Sequence, residues 1–201
     1  MAPGAATRHI IGMPAQGFAI FDTALGACGL AWGERGVMRV LLPDGGGSKI
    51  RSRLKRHFPD AAEAPPPKHI AKLIDDIIAL MKGEARDFND VALDLGNVPA
   101  FNRKVFDIAR TIPAGQTLTY GEIATRLGDK LLARDVGTAL GQNPFPIVVP
   151  CHRVLAASGK TGGFSAPGGV DTKMRMLSIE RAQPGGPTLF DDLPLATRRH
   201  R

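Results

Sequence analysis

Residues 119–140 read TYGEIATRLGDKLLARDVGTAL, a stretch that predicts two short helices joined by a tight turn. Thr119 and Glu122 have the spacing of a capping box, in which the threonine oxygen accepts from an early helical N–H and the glutamate accepts from the threonine N–H. A helix is therefore expected to begin at Tyr120 and to reach a turn at Gly128. A second helix is expected to start near residue 131, with three apolar residues facing inward: Val136, Ala139 and Leu140. This helix-turn-helix pattern is common both in DNA-binding proteins and in folds that never touch DNA.

Downstream, the apolar run at residues 145–149 leads into a cysteine followed by a histidine, Cys151 and His152. A thiol in apolar surroundings is normally inert because desolvation raises its pKa, so one interpretation is a packed core cysteine. The other is a nucleophile, because a neighbouring imidazole can take the thiol proton. Adjacent residues of an extended segment point to opposite faces, so contact would require a turn or a bridging water. Cys28, in an alternating strand pattern without a basic neighbour, is expected to be core.

The N-terminal half predicts a small antiparallel meander followed by two helices. Short β-rich runs at Phe18–Phe21, Cys28–Trp32 and Val37–Leu42 are separated by glycines, as in hairpins. A basic helix is expected over residues 48–58, and consecutive prolines then separate it from the next element. The second helix carries one continuous apolar stripe at helical spacing: Ile70, Leu73, Ile74, Ile77, Ile78 and Met81.

From residue 96 onward the chain is expected to be mostly helical. A further helix is predicted by four apolar residues before the stop signals at Pro113 and Gly115: Phe101, Val105, Ile108 and Ile112. We therefore expect an α+β fold, with a small N-terminal α/β meander domain over residues 1–95. A C-terminal domain that contains the helix-turn-helix would occupy residues 96–183. Residues 184–201, rich in Pro, Gly and charge, are expected to form a flexible tail.

The composition of the chain restricts the partners and the cellular compartment that are expected for it. The chain has 201 residues with 26 Lys and Arg against 19 Asp and Glu, a net charge of +7 that favours polyanionic partners such as nucleic acid. Only two cysteines are present, which argues against a disulfide scaffold and favours a reducing cytoplasm. The first nine residues lack the apolar core of a signal peptide, and no stretch approaches the ~20 apolar residues of a membrane span. A cytoplasmic protein without a membrane partner is the expectation.

The cysteine motif, Ile147-Val148-Val149-Pro150-Cys151-His152-Arg153-Val154, resembles the signature of the 6-O-alkylguanine-DNA alkyltransferases. Further matching elements follow the order of that family across residues 101–180: Phe101, Ile112-Pro113-Ala114-Gly115, Thr119-Tyr120-Gly121-Glu122, Ala133-Arg134, Val136-Gly137, Asn143-Pro144, Leu177 and Glu180. The resemblance implies a DNA repair protein. It would transfer the alkyl group of 6-O-alkylguanine, and of 4-O-alkylthymine, irreversibly onto its own cysteine and so act once.

The resemblance also implies catalytic roles for individual residues. Cys151 would be the acceptor thiol, and His152 the base that deprotonates it through a water. Glu180 would orient and charge-balance that histidine, which is the nucleophile, base and third-group arrangement of an activated thiol. Asn143 would hold the turn beside the cysteine by hydrogen bonding. Tyr120 would sit at the lesion pocket and donate a proton or hydrogen bond to the guanine as its oxygen leaves.

The remaining expectations concern the substrate and DNA. The substrate pocket would include Val154, Phe164 and Ser165 besides the tyrosine. Arg134 would fill the gap left by an extruded nucleotide, because a base must leave the stack to reach a buried thiol. The DNA contacts would lie in the minor groove and include three more residues: Ala133, Thr138 and Arg153. The resemblance implies no metal, no organic cofactor and no obligate protein partner.

Three departures from the family pattern bear on substrate range and DNA affinity. Phe164 stands where a tyrosine is common, Asp135 replaces a small apolar residue, and the segment Ala166-Pro167-Gly168-Gly169 is longer and stiffer than usual. Three alternatives stay open. A non-catalytic lesion-binding relative would typically lack Cys151, a transcription regulator would use the helix-turn-helix, and a thiol hydrolase would turn over and ignore DNA.

Overall fold

The computed structural model describes residues 14–157 and 161–182. Within these ranges an N-terminal three-stranded sheet with two helices precedes a mostly helical half. The elements, in chain order, are β1 (Gly17–Thr23), β2 (Gly26–Gly33), β3 (Gly36–Leu41), α1 (Gly47–His57), α2 (Lys68–Leu80), α3 (Ala100–Arg110), β4 (Leu118–Thr119), α4 (Tyr120–Arg126), α5 (Ala133–Gly141), β5 (Val154–Leu155) and α6 (Gly169–Ile179). Short 3₁₀ turns at Lys130–Leu132 and Cys151–Arg153 precede α5 and β5. The expected α+β class is confirmed.

The sheet is the antiparallel meander that the glycine-punctuated runs predict. Strand order is β1-β2-β3, and Phe18 of β1 pairs with Ala31 of β2. Gly36 begins β3 with φ of 119°, and a Cβ there would lie 2.3 Å from the Ala92 carbonyl oxygen. Only glycine fits this close approach, which lets the Val37 N–H donate to that carbonyl at 2.9 Å.

Both N-terminal helices are present, within a residue or two of their predicted bounds. Five residues of the predicted stripe are buried and Ile78 is half-buried; the buried ones are Ile70, Leu73, Ile74, Ile77 and Met81. Leu80, outside the predicted stripe, is buried as well. α1 buries only Ile50 and Leu54 and carries basic residues on the rest of its surface. In the part of the chain that the structure describes, no helix is long and apolar enough to cross a membrane.

One hydrophobic core joins the sheet to the C-terminal helices. It contains Leu30 and Val40 from the sheet, Ile77 from α2, Phe106 from α3 and Val149 just before the cysteine, all buried. The predicted domain boundary at residue 95 therefore falls within one continuous apolar cluster and stays a prediction. The predicted tail, residues 184–201, lies outside the described residues.

The helix pair α4 and α5 begins at the predicted capping box. The Glu122 N–H donates to Thr119 Oγ1 at 3.1 Å, and the Thr119 N–H donates to Glu122 Oε2 at 2.6 Å. Gly128 makes the turn with φ of 101°. The α-helical part of the second helix starts two residues later than expected, because Asp129 accepts from the Leu131 N–H and a 3₁₀ turn comes first.

Two long-range contacts, which sequence patterns do not predict, fix the cysteine segment. Leu118 pairs with Val154 and Thr119 with Leu155 in a parallel bridge, so the residues after Cys151 lie beside the start of α4. The Val40 N–H of β3 donates to the Pro144 carbonyl at 2.9 Å, which ties the N-terminal sheet to the turn before the cysteine. The cysteine is thus held from two sides.

We predict that Thr119→Ala lowers the free energy of unfolding by about 1 kcal/mol, because the cap on the α4 N-terminus is lost. Thr125→Ala is the matched control, since its exposed hydroxyl only donates to the Gly121 carbonyl one turn back. Urea denaturation measures both variants. Equal effects of the two substitutions would contradict a stabilising role of the capping box.

Candidate active site

Cys151 lies at the end of a buried apolar segment, in the first position of a 3₁₀ turn. The segment at residues 145–149 is largely inaccessible, so its apolar side chains anchor the turn in the core. The 3₁₀ turn changes the direction of the chain at Cys151 and His152, whereas an extended segment would continue straight. As a result the two side chains are not forced onto opposite faces.

The Asn143 side chain clamps the turn that precedes the cysteine. Its Nδ2 donates to the Val149 carbonyl at 2.9 Å, and its Oδ1 accepts from the Phe145 N–H at 2.9 Å. Between these contacts Ile147 adopts φ of 76°, a conformation that is strained for a β-branched residue. The clamp therefore lies where the backbone needs support, and this placement agrees with the role expected of Asn143.

Burial dominates the electrostatics of the Cys151 thiol and raises its pKa. The opposing influences are the Asn143 side chain, the positive charge of Lys173 and the backbone N–H groups of Cys151 and His152. The resting thiol is therefore protonated at neutral pH, and reaction requires a base. Cys28 is also a free buried thiol, but its pKa rises to about 11 through burial among core residues, as expected for a structural cysteine.

His152 and Glu180 form a fully buried pair behind the thiol. His152 Nε2 lies 2.9 Å from Glu180 Oε1, and the histidine side chain is completely inaccessible to solvent. Burial alone would raise the pKa of Glu180, but hydrogen bonds from His152 and Arg153 outweigh it and lower that pKa to about 2. The carboxyl is therefore ionised at neutral pH. Burial lowers the pKa of His152, and Glu180 offsets this only in part, so the imidazole is neutral.

The tautomer of His152 follows from the charge of Glu180. An ionised carboxylate only accepts hydrogen bonds, so the proton of the neutral ring resides on Nε2. Nδ1 then carries a free lone pair. It has no hydrogen-bond partner among the described residues and is shielded from solvent. A buried imidazole with one nitrogen oriented by a carboxylate and the other free to accept a proton is suited to act as a base.

Arg153 does not lie where a DNA contact would be, which corrects the sequence-based expectation. Its Nε and Nη2 donate to the two Glu180 oxygens at 2.8 Å each, and its Nη1 donates to the Ile112 carbonyl at 2.6 Å. Only 3% of the residue is exposed. The guanidinium is engaged in a buried bidentate pair and cannot reach a phosphate on the surface.

A cavity of about 580 Å³ opens from the thiol to the face of α5. Besides Cys151, six of the predicted site residues line it: Tyr120, Ala133, Arg134, Thr138, Phe164 and Ser165. Ser165 Oγ donates to the Gly141 carbonyl at 2.8 Å and fixes the loop against the end of α5. Residues 14–157 and 161–182 contain no group of three or more His, Cys, Asp or Glu side chains placed to hold a metal ion.

Val154 differs from its predicted place in the substrate pocket. Its side chain is fully buried in the core and does not line the cavity. Its carbonyl accepts from Lys173 Nζ at 2.6 Å, so this residue faces the site through its backbone. The apolar side chain serves packing, as the valines before Cys151 do.

Lys173 is a site residue that the sequence-based prediction missed. Its Nζ donates to the Val154 and Thr161 carbonyls at 2.6 Å each and lies 5.9 Å from the centre of the Tyr120 ring. Burial lowers its pKa to about 8, and Cys151 partly offsets the shift. A signal was available, because Lys173 and Glu180 are seven residues apart and so share the inward face of α6.

The N-terminal part of α5 presents the remaining predicted DNA contacts to solvent. Arg134 and Thr138 are exposed and Ala133 is half-buried. Asp135 is also exposed, but it lies in the first helical turn, where the helix dipole favours a negative charge. Leu131, just before the helix, is 86% exposed and was not predicted as a surface residue of interest. Of these residues, Ala133, Arg134 and Thr138 line the cavity that contains Cys151, so this face of α5 adjoins the site.

Together these groups define a class of protein. A thiol at the floor of an open cavity, with a neutral imidazole and an ionised carboxylate behind it, is the arrangement of a cysteine nucleophile. The family model for the 6-O-methylguanine DNA methyltransferase DNA-binding domain matches residues 100–182, the stretch that builds most of this site.

Relatives in sequence extend the match beyond that domain. A methylated-DNA–protein-cysteine methyltransferase from Methanothermobacter thermautotrophicus is 39% identical over 152 residues, covering 76% of this chain and 78% of that protein. The protein of the same name from Mycolicibacterium paratuberculosis is 45% identical over 126 residues, or 62% of this chain and 74% of that protein.

Solved structures agree in fold. The structure described as Mycobacterium tuberculosis OGT in complex with DNA superposes with a TM-score of 0.66 at 33% identity, covering 82% of this chain and 92% of that one. The 6-O-methylguanine-DNA methyltransferase of Pyrococcus kodakaraensis gives 0.61 at 25% identity, with 81% and 98% coverage. The chain belongs to the methylated-DNA–protein-cysteine methyltransferase family, which confirms the resemblance stated from its motifs.

We predict a pH-dependent contribution of Glu180 to stability. Its folded pKa of about 2 lies below its ordinary value of 4.5. A carboxyl with a depressed pKa contributes stability that is complete above the unfolded pKa and is lost as pH falls toward the folded one. Between roughly pH 5 and pH 2 this contribution should fall by about 3 kcal/mol.

Chemical denaturation of wild type and Glu180→Gln across this range measures the effect. The variant is expected to be less stable at neutral pH and to lose stability less steeply in acid. Glu63→Gln is the matched control, because Glu63 pairs with Arg51 on the exposed surface and such pairs contribute little. Parallel curves for wild type and Glu180→Gln would contradict this assignment.

Proposed function

We propose that the protein repairs DNA by moving the alkyl group of 6-O-alkylguanine onto Cys151. In this displacement the sulfur forms a bond to the alkyl carbon while the bond from that carbon to the guanine oxygen breaks. The electron pair passes to the guanine, which takes up one proton on its ring nitrogen, and guanine is restored. The product is a thioether in a buried position, so the protein is used once. The observation that most directly supports this proposal is the free Cys151 thiol that lines the cavity, next to the buried His152–Glu180 pair.

His152 is proposed to take the thiol proton at Nδ1, through a water. Its neutral state and the Nε2 contact with Glu180 leave Nδ1 as the accepting nitrogen. Once the proton arrives, the imidazolium lies between the ionised Glu180 and the new thiolate, both of which stabilise its charge. Lys173 and the Asn143 side chain stabilise the thiolate directly, since both lower the pKa of Cys151.

Tyr120 is proposed to donate to the guanine as its oxygen leaves. Its ring lines the cavity, and among the described residues its hydroxyl makes only a long contact of 3.4 Å with the Gly163 carbonyl. Burial raises the pKa of this phenol, with a smaller effect from Cys151, so the hydroxyl keeps its proton until a stronger acceptor arrives. A guanine oxygen gaining negative charge is such an acceptor.

DNA binding is proposed to use α5 in the minor groove, with the damaged nucleotide extruded into the cavity. Cys151 is only 9% exposed and lines the cavity, so its thiol is beyond the reach of a base that stays in the stack. Arg134 would fill the gap in the stack. Damage arises in any sequence, so phosphate contacts and shape would dominate over base readout. A free acceptor thiol needs a reducing compartment, which favours the cytoplasm.

The proposed function is tested by intact-protein mass after incubation with a duplex that contains one 6-O-methylguanine. The expected result is one added methylene mass, mapped to Cys151, reaching at most one equivalent. Cys151→Ala is expected to abolish the adduct and to keep binding lesion DNA. Cys28→Ala is the matched control, because Cys28 is the other of the chain's two cysteines and should not affect transfer.

Two other outcomes would contradict the proposal. Tight lesion binding by wild type without an adduct would indicate a non-catalytic lesion-binding protein. Absence of both binding and adduct would favour a thiol hydrolase.

We also predict that Arg134→Ala slows transfer from a duplex by roughly tenfold or more, because the extruded state loses the side chain that fills the gap. Transfer from the free 6-O-methylguanosine nucleoside should be unchanged, since no base has to leave a stack. Arg126→Ala, at the exposed end of α4, is the charge-matched control. An equal loss on duplex and nucleoside would contradict a role in extrusion.

A further inference from the structure

The first helix of the N-terminal half, α1, carries a charged surface that the chemistry at Cys151 does not use. Five of its 11 residues are Lys or Arg, and none is Asp or Glu. Ile50 and Leu54 are fully buried in a cluster with Phe18 and Ala31 of the sheet, which fixes the side of α1 that faces the core. The cations therefore lie around the rest of the helix.

Helical spacing divides these cations between two edges of α1. Lys49, Arg53 and Arg56 are four and three residues apart, so they follow one another along one edge. These three residues are called the basic row below. Arg51 and Lys55, which are four residues apart, follow the other edge. The helix thus offers two charged edges that differ in position but not in residue type.

The charge of the basic row is only partly neutralised. A single carboxylate, that of Asp44, accepts from Lys49 Nζ at 2.7 Å and from Arg53 Nη1 at 3.1 Å. Arg56 is exposed and pairs with no carboxylate in the ranges that the structure describes. The excess charge acts on His57, because burial and then the charges of neighbouring arginines lower the pKa of that imidazole. Such a surface favours an anionic partner.

The basic row lies beside the C-terminal end of α5. Arg53 lines a cavity of about 300 Å³ together with Cys151 and with Gly141, the last residue of α5. Gly141 also lines the larger cavity, which the proposed function assigns to the damaged base. This edge of α1 therefore adjoins the helix that is proposed to enter the minor groove.

The residues of α1 favour a polyanion over a membrane or a protein. A helix that binds a membrane presents its apolar side to lipid, but Ile50 and Leu54 of α1 are already buried. Protein interfaces have an apolar centre, and none of the large apolar side chains that are exposed in the described ranges belongs to α1. Ser48 and Ser52 are exposed between the two charged edges, and their small hydroxyls suit contact with a phosphate backbone.

We propose that the basic row binds phosphates of the duplex that carries the damaged base, outside the part of the duplex that faces Cys151. This rests on the proposed function, because α5 must first place that duplex. α5 has nine residues and is about 14 Å long, the rise of about four base pairs, so a longer duplex extends past its end. The contact adds affinity that does not depend on sequence and leaves the transfer chemistry unchanged.

The test measures how the affinity for a 6-O-methylguanine duplex depends on salt, in the Cys151→Ala background so that no transfer occurs. The duplex is kept at trace concentration, so that a second duplex cannot contribute. Each phosphate contact releases bound counterions and steepens the dependence of log K on log salt by about 0.9. The double variant Lys49→Gln, Arg56→Gln is expected to make this slope shallower by about 2. It should also weaken binding roughly tenfold or more near 0.1 M salt.

The same double substitution with Cys151 intact should leave transfer from free 6-O-methylguanosine unchanged, because the nucleoside has no phosphate backbone. Arg51→Gln, Lys55→Gln is the matched control for binding. It removes the same charge from the other edge of α1, where Arg51 pairs with Glu63, and should leave the salt slope nearly unchanged.

Two results would overturn the proposal. One is a salt slope of the basic-row variant equal to that of its parent. The other is an equal change in both double variants, which would indicate a general effect of net charge rather than a contact. Failure of the proposed function is a separate result, because it would appear as a wild type that transfers no methyl group, and the placement of the duplex on α5 would fail with it.

Discussion

The buried carboxylate of Glu180 is the group on which the C-terminal half depends. It ends α6 and binds both His152 and Arg153 from the turn that holds the cysteine. Arg153 in turn reaches the Ile112 carbonyl just beyond α3. Three separate parts of the chain therefore meet at one ionised side chain. Removing either partner would leave an unpaired buried charge, which typically costs about 3–5 kcal/mol of folding stability. The ion pair can therefore form only when the folded chain brings these segments together.

This arrangement links stability to chemistry. The hydrogen bonds that keep Glu180 ionised in the core also direct the proton of His152 to Nε2. The thiol stays protonated at rest because burial raises its pKa, so reactivity waits for a substrate that reaches the cavity floor. When the thiol loses its proton, Lys173 and Asn143 reduce the free energy needed to form the buried thiolate. A protein that acts once benefits from a nucleophile that is quiet until a damaged base is bound.

Local patterns in the sequence predicted most elements of the fold. The period of 3.6 in α2, the capping box at Thr119 and the glycine turns of the sheet each depend on residues close in the chain, and the structure contains all three. Contacts between distant segments could not be predicted in this way. The Leu118 to Val154 bridge and the Val40 to Pro144 hydrogen bond join residues far apart in sequence, and no local spacing encodes them.

The site residues also divide into those that the sequence could predict and those that only long-range contacts reveal. The family resemblance assigned Asn143, Cys151, His152 and Glu180 to one site. In the structure the Asn143 side chain lies against the Cys151 thiol, and His152 binds Glu180. Arg153 was misplaced because a charged residue is ordinarily assigned to the surface, whereas here a buried carboxylate holds it. Lys173 was overlooked for the same reason.

The state of the His152 ring is the most direct test of how this site works, and nitrogen-15 NMR of the ring measures it. The geometry predicts a protonated Nε2 and an unprotonated Nδ1 at neutral pH, since burial lowers the pKa of His152 and Glu180 accepts from Nε2. A ring with its proton on Nδ1, or an imidazolium at neutral pH, would contradict the role of His152 as the base that activates Cys151.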